Sequence, residues 1–236
     1  MKRSVIIPAG GVGKRMGGDL PKQFLLLAGE PILFRTIRSF HTFDPAAQII
    51  VSLPDDWLSY WQDLCRQYRF TITHEVVAGG KERFHSVQNA LQLAKGDLIA
   101  VHDGVRPFPS LQTSQKCFEI AGTYGSAIPV VELKDSIREI TGNRSTAMAR
   151  KRYRLVQTPQ VFRSEIIRSA YAQEFHESIT DDASLVEALG IHITLVQGND
   201  ENIKITSPTD LILAESIVKS CQLLAVVAHG ARDEIA

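Results

Sequence analysis

The feature that most constrains this chain is a glycine-rich turn near its N-terminus. Residues 5–24 read VIIPAGGVGKRMGGDLPKQF, in which a β-branched run breaks at Pro8 into a loop with five glycines and the cations Lys14, Arg15 and Lys22. Glycines let backbone N–H groups curl around an anion, and the cations neutralise its remaining charge. Because a strand that ends in such a turn is where an α/β protein holds a polyphosphate, the loop predicts nucleotide binding.

Two common phosphate-binding motifs do not fit this loop. The P-loop pattern needs Gly-Lys followed by Ser or Thr, whereas Gly13-Lys14 is followed by Arg15. The dinucleotide fingerprint needs a third glycine where this chain has Met16. A tight turn that binds nothing would explain the glycines, but it would gain nothing from three crowded cations.

Composition narrows the class of protein. The chain has 236 residues, 44% of them apolar and 22% charged, with a formal net charge of zero. These values predict one globular domain, and they argue against a general nucleic-acid or membrane-surface binder. Cys65, Cys117 and Cys221 are widely spaced and form no C-x-x-C pair, which favours buried thiols in a reducing cytosol over a zinc site. We expect a soluble cytoplasmic protein without a signal peptide or membrane span.

Short apolar strands alternate with helical patterns along most of the chain. Besides the first strand, strands are predicted at residues 48–53, 70–77, 97–102, 127–132, 193–196 and 202–205. Helices are predicted at residues 32–43, 57–68, 83–94, 112–121, 164–174 and 181–189, with a long one opened by Pro208. This rhythm predicts an α/β fold, a Rossmann-like doubly wound and mostly parallel sheet covered on both faces.

The rhythm changes between residues 134 and 162. Short alternating segments flank Gly142-Asn143, which is a hairpin signal. Because this segment is too polar to extend the core, we expect a β-arm that projects from the single domain. The alternative is a surface hairpin lying on its own subunit.

An acidic residue follows the predicted strand at 97–102. Asp103 would lie at the edge of the sheet where ligands bind in open α/β folds. A carboxylate beside a polyphosphate requires a divalent cation between them, so Asp103 is a candidate Mg²⁺ ligand. The alternative is a carboxylate that caps the following turn. His102 is expected to be a packed strand-end histidine, and Asp97 an exposed strand-start residue.

A set of motifs runs in order from residue 5 to about residue 215: PAGGVGKRM, LPKQF, GGKERFHSV, HDGVRP, QTPQVF, TDDAS and ENIKIT. Each motif is weak alone, but the ordered set resembles the 2-C-methyl-D-erythritol 4-phosphate cytidylyltransferases of the non-mevalonate isoprenoid pathway. The resemblance implies a fold of the nucleotidyltransferase type. It also implies transfer of CMP from CTP to the phosphate of methylerythritol phosphate, with release of pyrophosphate.

The resemblance assigns roles to individual residues. Arg15 and Lys22 would stabilise the charge that develops during transfer, and Asp103 would bind Mg²⁺. The cytidine side of the site would be formed by Ala9, Gly10, Gly11, Gly13, Gly80 and Ser86, and Ser86 could also be a simple helix cap. Lys81 stands where relatives often carry an acid, so the base would be contacted there through the backbone.

The resemblance also implies how the acceptor is held. Arg150 and Lys204 would position methylerythritol phosphate, helped by Arg106, Ser136, Thr158 and Thr180. Ser136 stands where relatives often have Thr. A homodimer is implied, in which the arm crosses to the partner subunit and brings Arg150, Ser136 and Thr158 to the partner's site.

Three other functions share part of this pattern. Ribitol 5-phosphate cytidylyltransferases carry nearly all of these motifs, and sugar-1-phosphate nucleotidylyltransferases share the glycine loop followed by Pro-Lys. A nucleotide-binding regulator without catalysis is the third alternative. It does not account for four charged residues, Arg15, Lys22, Asp103 and Lys204, since binding alone does not need them all.

Overall fold

The computed structural model describes residues 1–11 and 20–233, with side chains described up to residue 221. Its strands are β1 (Arg3–Pro8), β2 (Leu26–Leu27), β3 (Glu30–Pro31), β4 (Gln48–Leu53), β5 (Glu75–Ala78), β6 (Leu98–Val101), β7 (Ser126–Glu132), β8 (Ile137–Thr141), β9 (Arg144–Met148), β10 (Arg154–Val156), β11 (Gln160–Arg163) and β12 (Leu195–Gln197). Its helices are α1 (Ile32–Phe43), α2 (Leu58–Gln67), α3 (Arg83–Leu91), α4 (Leu111–Tyr124), α5 (Ser164–Tyr171), α6 (Asp182–Glu187) and α7 (Pro208–Asp233).

Eight of the strands form one central sheet. Its order is β10–β7–β11–β6–β1–β4–β5, and β12 pairs with β7. Strands β1, β4, β5 and β6 pair in parallel, as do β7 and β12, whereas β10 and β11 run antiparallel to their neighbours. The predicted α/β class with a mostly parallel, doubly wound sheet is confirmed.

The core lies on both faces of the sheet. Successive side chains of a strand point to opposite faces; accordingly Val5 and Ile7 of β1 join one apolar cluster, while Ile6 joins the other. Helix α1 packs on the first of these faces through Leu33, Ile37 and other side chains spaced three or four residues apart. A continuous run of β-branched residues in β1 is therefore what a doubly covered strand requires.

Several predicted bounds were wrong. The predicted strand at 70–77 is limited to β5, and residues 202–205 form no strand. The segment at 202–205 is held instead by local turn bonds, by a backbone bond from the amide of Ile205 to the carbonyl of Val105, and by the buried side-chain amide of Asn202, which donates to the carbonyl of Thr158. Because the side chain of Asn202 points inward to make this bond, the strand-like NIKIT segment does not pair with a neighbouring strand. Helix α1 and strand β4 have the predicted bounds, and the other predicted elements differ from the observed ones by a few residues at their ends.

The hairpin expected around Gly142-Asn143 is present as β8 and β9. These two strands form a separate two-stranded sheet, joined by a two-residue turn in which Gly142 has a positive φ of 58°. The excursion from the central sheet is shorter than the predicted 134–162, because β10 and β11 pair with successive stretches of β7. Val161 and Phe162 in β11 are fully buried, so this part of the segment belongs to the core.

The cysteine prediction holds for two of the three thiols. Cys117 is buried and Cys65 is half-buried against the same apolar cluster, whereas Cys221 is exposed. Burial raises the pKa of Cys65 to about 11 and that of Cys117 to about 12.

Among the residues that the structure describes, no helix has both the length and the apolar composition needed to cross a bilayer. The cytoplasmic location stays a prediction.

Candidate active site

The carboxyl ends of three parallel strands meet at one cavity. After β1 the chain continues into Ala9, Gly10 and Gly11; after β5 it continues into Gly79-Gly80, and after β6 into His102-Asp103. The cavity has a volume of about 290 Å³. Its described lining consists of Pro8, Ala9, Gly10, Gly11, Lys22, Gln23, Gly80, Lys81, Glu82, Arg83, Ser86, Asp103, Gly104, Val105 and Lys204.

One wall of the cavity is built from closely packed backbone. A Cβ added at Gly80 would lie 2.3 Å from the Cβ of His85, so only glycine fits at that position. The amide of Gly80 donates to the Ser86 hydroxyl at 3.0 Å, and Ser86 donates to the carbonyl of Glu82. Ser86 lies in the first turn of α3 and Glu82 is the N-cap residue, so the simple-cap interpretation of Ser86 is wrong. Its hydroxyl instead fixes the glycine turn against the helix.

The opposite wall carries the predicted Lys22. Pro21 and the short 3₁₀ helix Lys22–Phe24 place this side chain beside the glycine turn, with its Cε 3.6 Å from where a Cβ on Gly11 would lie. The neighbouring Gln23 is buried, and its Nε2 donates to the carbonyl of Ala9 at 2.6 Å. The Pro-Lys-Gln sequence thus ties the two ends of the glycine loop together.

Asp103 lies at the centre of a cluster of cations. Its Oδ2 is 3.0 Å from Nζ of Lys204 and accepts a hydrogen bond from Nε of Arg106 at 3.1 Å. Its Oδ1 is 3.6 Å from Nε of Arg83. Burial by itself would raise the pKa of Asp103, but these three cations outweigh burial and hold the pKa well below its usual range. The carboxylate is therefore ionised at any physiological pH.

The backbone of Asp103 is fixed from below by a buried hydrogen-bond chain. The amide of Asp103 donates to Oγ1 of Thr158 at 3.1 Å, and Thr158 in turn bonds Nδ1 of His102 at 3.0 Å. Nε2 of His102 bonds the carbonyl of Arg106 at 2.8 Å. Because burial lowers the pKa of His102 to about 4, the ring is neutral at pH 7. Nε2 must then carry the proton, and the Thr158 hydroxyl donates to Nδ1.

A second anchor holds Arg106. Its Nη1 donates to the carbonyl of Asn202 at 2.7 Å, and the side-chain amide of Asn202 donates to the carbonyl of Thr158. These bonds join the HDGVRP, QTPQ and ENIKIT segments into one unit around Asp103.

The expectation that His102 is a packed histidine and the expectation that Asp97 is exposed are both confirmed. The turn-cap alternative for Asp103 is wrong, because its carboxylate bonds three cationic side chains instead of the backbone.

The donor set at Asp103 fits a magnesium ion that is shared with substrate phosphates. The described residues contain no cluster of three or more His, Cys, Asp and Glu side chains that could hold a metal by themselves. Mg²⁺ usually needs only one or two carboxylates when phosphate oxygens complete its coordination. Oδ2 is engaged by Arg106 and Lys204, whereas Oδ1 has one looser contact and faces the cavity residue Arg83. Oδ1 therefore retains lone pairs for a hard cation.

The structure brings many of the predicted site residues together. Ala9, Gly10, Gly11, Lys22, Gly80, Ser86, Asp103 and Lys204 line the cavity, and Arg106 bonds Asp103. Arg15 and Gly13 lie outside the described residues, so their roles stay predictions.

Four other predicted residues do not line this cavity. Ser136 and Arg150 are exposed beside the β8–β9 hairpin, where Arg150 donates to the carbonyl of Lys134. Thr180 lines a neighbouring cavity that shares Glu82 and Arg83 with the first. Thr158 is buried beneath Asp103 of its own subunit, which corrects the expectation that it crosses to a partner with the arm.

Sequence reasoning missed Arg83. This side chain lines the cavity, approaches Asp103 and makes a bidentate pair with the buried carboxylate of Asp182. Both residues lie inside quoted motifs, GGKERFHSV and TDDAS, but the two residues are 99 positions apart in the sequence. Only the packing of α3 against α5 and α6 shows that they form a pair.

Comparisons with known proteins agree with the geometry. Residues 4–220 match the family model described as IspD, 2-C-methyl-D-erythritol 4-phosphate cytidylyltransferase. A protein of that name from Phocaeicola vulgatus is 50% identical over 92% of this chain and 100% of its own length. One from Porphyromonas gingivalis is 48% identical over 93% of this chain and 99% of its own length.

Solved structures carry the same fold. The crystal structure of 2-C-methyl-D-erythritol 4-phosphate cytidylyltransferase from Thermus thermophilus is similar with a TM-score of 0.77 and 33% identity, covering 93% of this chain and 100% of that one. The 4-diphosphocytidyl-2C-methyl-D-erythritol synthase from Anaerococcus prevotii is similar with a TM-score of 0.80 and 25% identity, covering 92% and 96% of the two chains.

Proposed function

Because the chain belongs to the 2-C-methyl-D-erythritol 4-phosphate cytidylyltransferase family, we propose that the cavity around Asp103 is where CMP passes from CTP to 2-C-methyl-D-erythritol 4-phosphate. The family is one of nucleotidyltransferases in the non-mevalonate isoprenoid pathway, and CTP-dependent cytidylyl transfer is the activity of this chain. The observation that carries the site assignment is the convergence of Lys204, Arg106 and Arg83 on one ionised carboxylate beside a glycine-built wall.

In the proposed reaction, an oxygen of the acceptor phosphate attacks the α-phosphorus of CTP. A new P–O bond forms there, the bond to the bridging oxygen breaks, and pyrophosphate leaves with the electron pair. Negative charge grows on the equatorial and leaving oxygens, and cations already fixed in place stabilise it better than mobile water does. Lys22 is the described cavity cation proposed for this role, together with Arg15, whereas Lys204 would position the acceptor. Arg106 would help to orient the acceptor.

A divalent cation completes the proposed site. Asp103 would hold Mg²⁺ through its Oδ1, and the ion would supply neutralisation of the phosphate charge when bound. The cations around Asp103 support this role because they keep the carboxylate ionised. The glycine wall formed by Gly10, Gly11 and Gly80 would approach the cytidine closely, with Ser86 holding that wall in place.

We propose that the enzyme works as a homodimer in which the β8–β9 hairpin reaches the partner's cavity. Arg150 and Ser136 lie beside this hairpin and away from their own cavity. Apolar side chains on and near the arm are exposed: Ile140 at 68%, Leu155 at 53% and Val156 at 42%. Edge strand β10 carries two of them, and exposed apolar edges are normally covered by a partner.

The assay for this proposal is pyrophosphate release from CTP and Mg²⁺ with two acceptors compared at equal concentration. Turnover with 2-C-methyl-D-erythritol 4-phosphate and little with ribitol 5-phosphate is expected. A sugar 1-phosphate with UTP or GTP serves as the control for the sugar-1-phosphate nucleotidylyltransferase reaction. No turnover with the methylerythritol acceptor, or faster turnover with ribitol 5-phosphate, would overturn the assignment.

A further inference from the structure

A buried carboxylate holds one of the cavity's cations in a fixed position. Asp182, the first residue of α6, is fully buried and accepts two hydrogen bonds from Arg83, at 3.0 Å from Nη1 and 2.7 Å from Nη2. The hydroxyl of Tyr171 also donates to Asp182. Such bidentate pairing fixes both the position and the plane of the guanidinium.

The position of Asp182 is fixed in turn by a helix cap. The preceding Asp181 caps α6 by accepting from the amide of Ser184, and Ser184 completes the capping box. Gln160 of β11 donates to Asp181 and accepts from the amide of Ala183. The helix terminus that carries Asp182 is thus tied to the central sheet and cannot shift independently of it.

The pair with Asp182 does not use all the hydrogen-bond donors of Arg83. The guanidinium has five N–H donors, and the two that bond Asp182 are on Nη1 and Nη2, so the Nε–H lies outside this pair. Its side chain is 34% exposed, and its Nε lies 3.6 Å from the Asp103 carboxylate. Arg83 and Glu82 are the two described residues that line both the Asp103 cavity and the neighbouring cavity that contains Thr180.

We propose that Arg83 contacts a phosphate oxygen where donor and acceptor meet, and that Asp182 is its positioning residue. This inference rests on the proposed function of the Asp103 cavity. A purely structural Arg–Asp pair would have no need to line a cavity beside the candidate metal ligand, with Nε of the arginine 3.6 Å from the Asp103 carboxylate. An arginine already held in place needs no reorganisation as charge develops in the transition state, so its effect should be on kcat.

The test separates catalysis from folding by removing both charges together. Arg83→Met alone would leave a buried carboxylate unpaired, and Asp182→Asn alone would leave the guanidinium unfixed, so each single variant should melt at a lower temperature. The double variant, Arg83→Met with Asp182→Asn, removes both charges of the pair, and its melting temperature should recover. Its kcat should not recover, and should stay about 10²-fold below wild type, as for other lost transition-state donors.

A double-mutant cycle adds a second readout. If Asp182 acts through Arg83, Asp182→Asn should lower kcat roughly 10- to 100-fold when Arg83 is present and should have no further effect when Arg83 is already methionine. The equilibrium Kd for CTP, measured without acceptor, should change little in all three variants. The matched control is the pair Arg3 and Asp44, which are 3.0 Å apart at the other end of β1. The same two substitutions there should leave kcat unchanged.

Two results would overturn the inference. A double variant that regains both melting temperature and wild-type kcat would show that the pair is structural only. Additive losses in the cycle would show that Asp182 does not act through Arg83. Both results require an active wild type, whereas failure of the proposed function would appear as no turnover by the wild-type enzyme.

Discussion

Lys204 and Asp103 form an ion pair across the mouth of the cavity, with Nζ 3.0 Å from Oδ2. Lys204 is less buried than its partner, since its side chain is 42% exposed and that of Asp103 only 11%. Asp103 therefore carries a fixed negative charge in a mostly buried position, and two of the cations around it, Arg83 and Lys204, line the cavity.

Replacement of Asp103 should abolish most of the activity while leaving the fold intact. Asp103→Asn keeps the side-chain volume but removes the charge that would bind Mg²⁺. We expect kcat to fall at least about 10²-fold, measured as pyrophosphate release at saturating CTP and Mg²⁺. Equal activity in the variant would show that this carboxylate is not the metal ligand.

The same variant has a distinctive dependence of stability on pH. Because the pKa of Asp103 is depressed in the folded state, its ionised form stabilises the protein above the unfolded pKa of about 4 and loses that effect as pH falls further. The difference in free energy of unfolding between wild type and Asp103→Asn should be constant from about pH 5 to 8 and should shrink below about pH 4. Urea titrations at several pH values measure this difference in free energy of unfolding. A difference that changes near neutral pH would contradict the depressed pKa of Asp103.

Lys22 should act on the chemical step more than on binding. Lys22→Ala removes a cation beside the glycine turn, so we expect kcat to fall by about 10² or more while the Kd for CTP changes much less. Steady-state turnover assays and equilibrium binding of CTP measure the two effects separately. Equal losses in both would show that Lys22 acts through CTP binding and not on the chemical step. Lys219→Ala, at a solvent-exposed position on α7, is the matched control.

The neutral His102 beneath Asp103 should make the fold sensitive to mild acid. Burial lowers its folded pKa to about 4, whereas an unfolded histidine titrates near 6.5. The unfolded state therefore binds the extra proton between these values, and stability should decline as pH falls from about 6.5 to 4, by about 3 kcal/mol in total. His102→Gln should flatten this part of the profile, and an unchanged slope would contradict the buried neutral ring.

The proposed use of the arm can be tested by mixing two inactive variants. Arg150→Ala and Asp103→Asn homodimers should each be nearly inactive. If Arg150 serves the partner's cavity, random exchange of subunits should restore one intact site in about half of the dimers, or about a quarter of wild-type activity. No recovery after verified exchange would place Arg150 in its own subunit's site or outside catalysis.

Much of the fold could be predicted because local sequence and tertiary packing agree. Helix α1 and strand β4 were predicted with their observed bounds, since Pro31 opens the helix and Pro54 follows the strand. The hairpin turn was equally clear from Gly142-Asn143. The elements predicted least well are those whose backbone is held by side chains, as Asn202 holds the segment around Lys204.

The site was predictable in outline for a different reason. Parallel strands bring their carboxyl ends to one edge, so the glycine turn after β1 and Asp103 after β6 had to be neighbours. The pairing of Arg83 with Asp182 could not be predicted, because neither spacing nor residue type links two helix starts so distant in the chain. The burial of Thr158 was missed because its segment was read as part of a polar arm, whereas β10 and β11 join the central sheet.

A crystal structure with CTP and Mg²⁺ bound would show whether the Asp103 cavity is the site of transfer. We expect the cytidine against Gly10, Gly80 and Ser86, the triphosphate facing Lys22, and the ion on Oδ1 of Asp103. Density for the nucleotide in another cavity, or an ion bound without Asp103, would contradict this expectation.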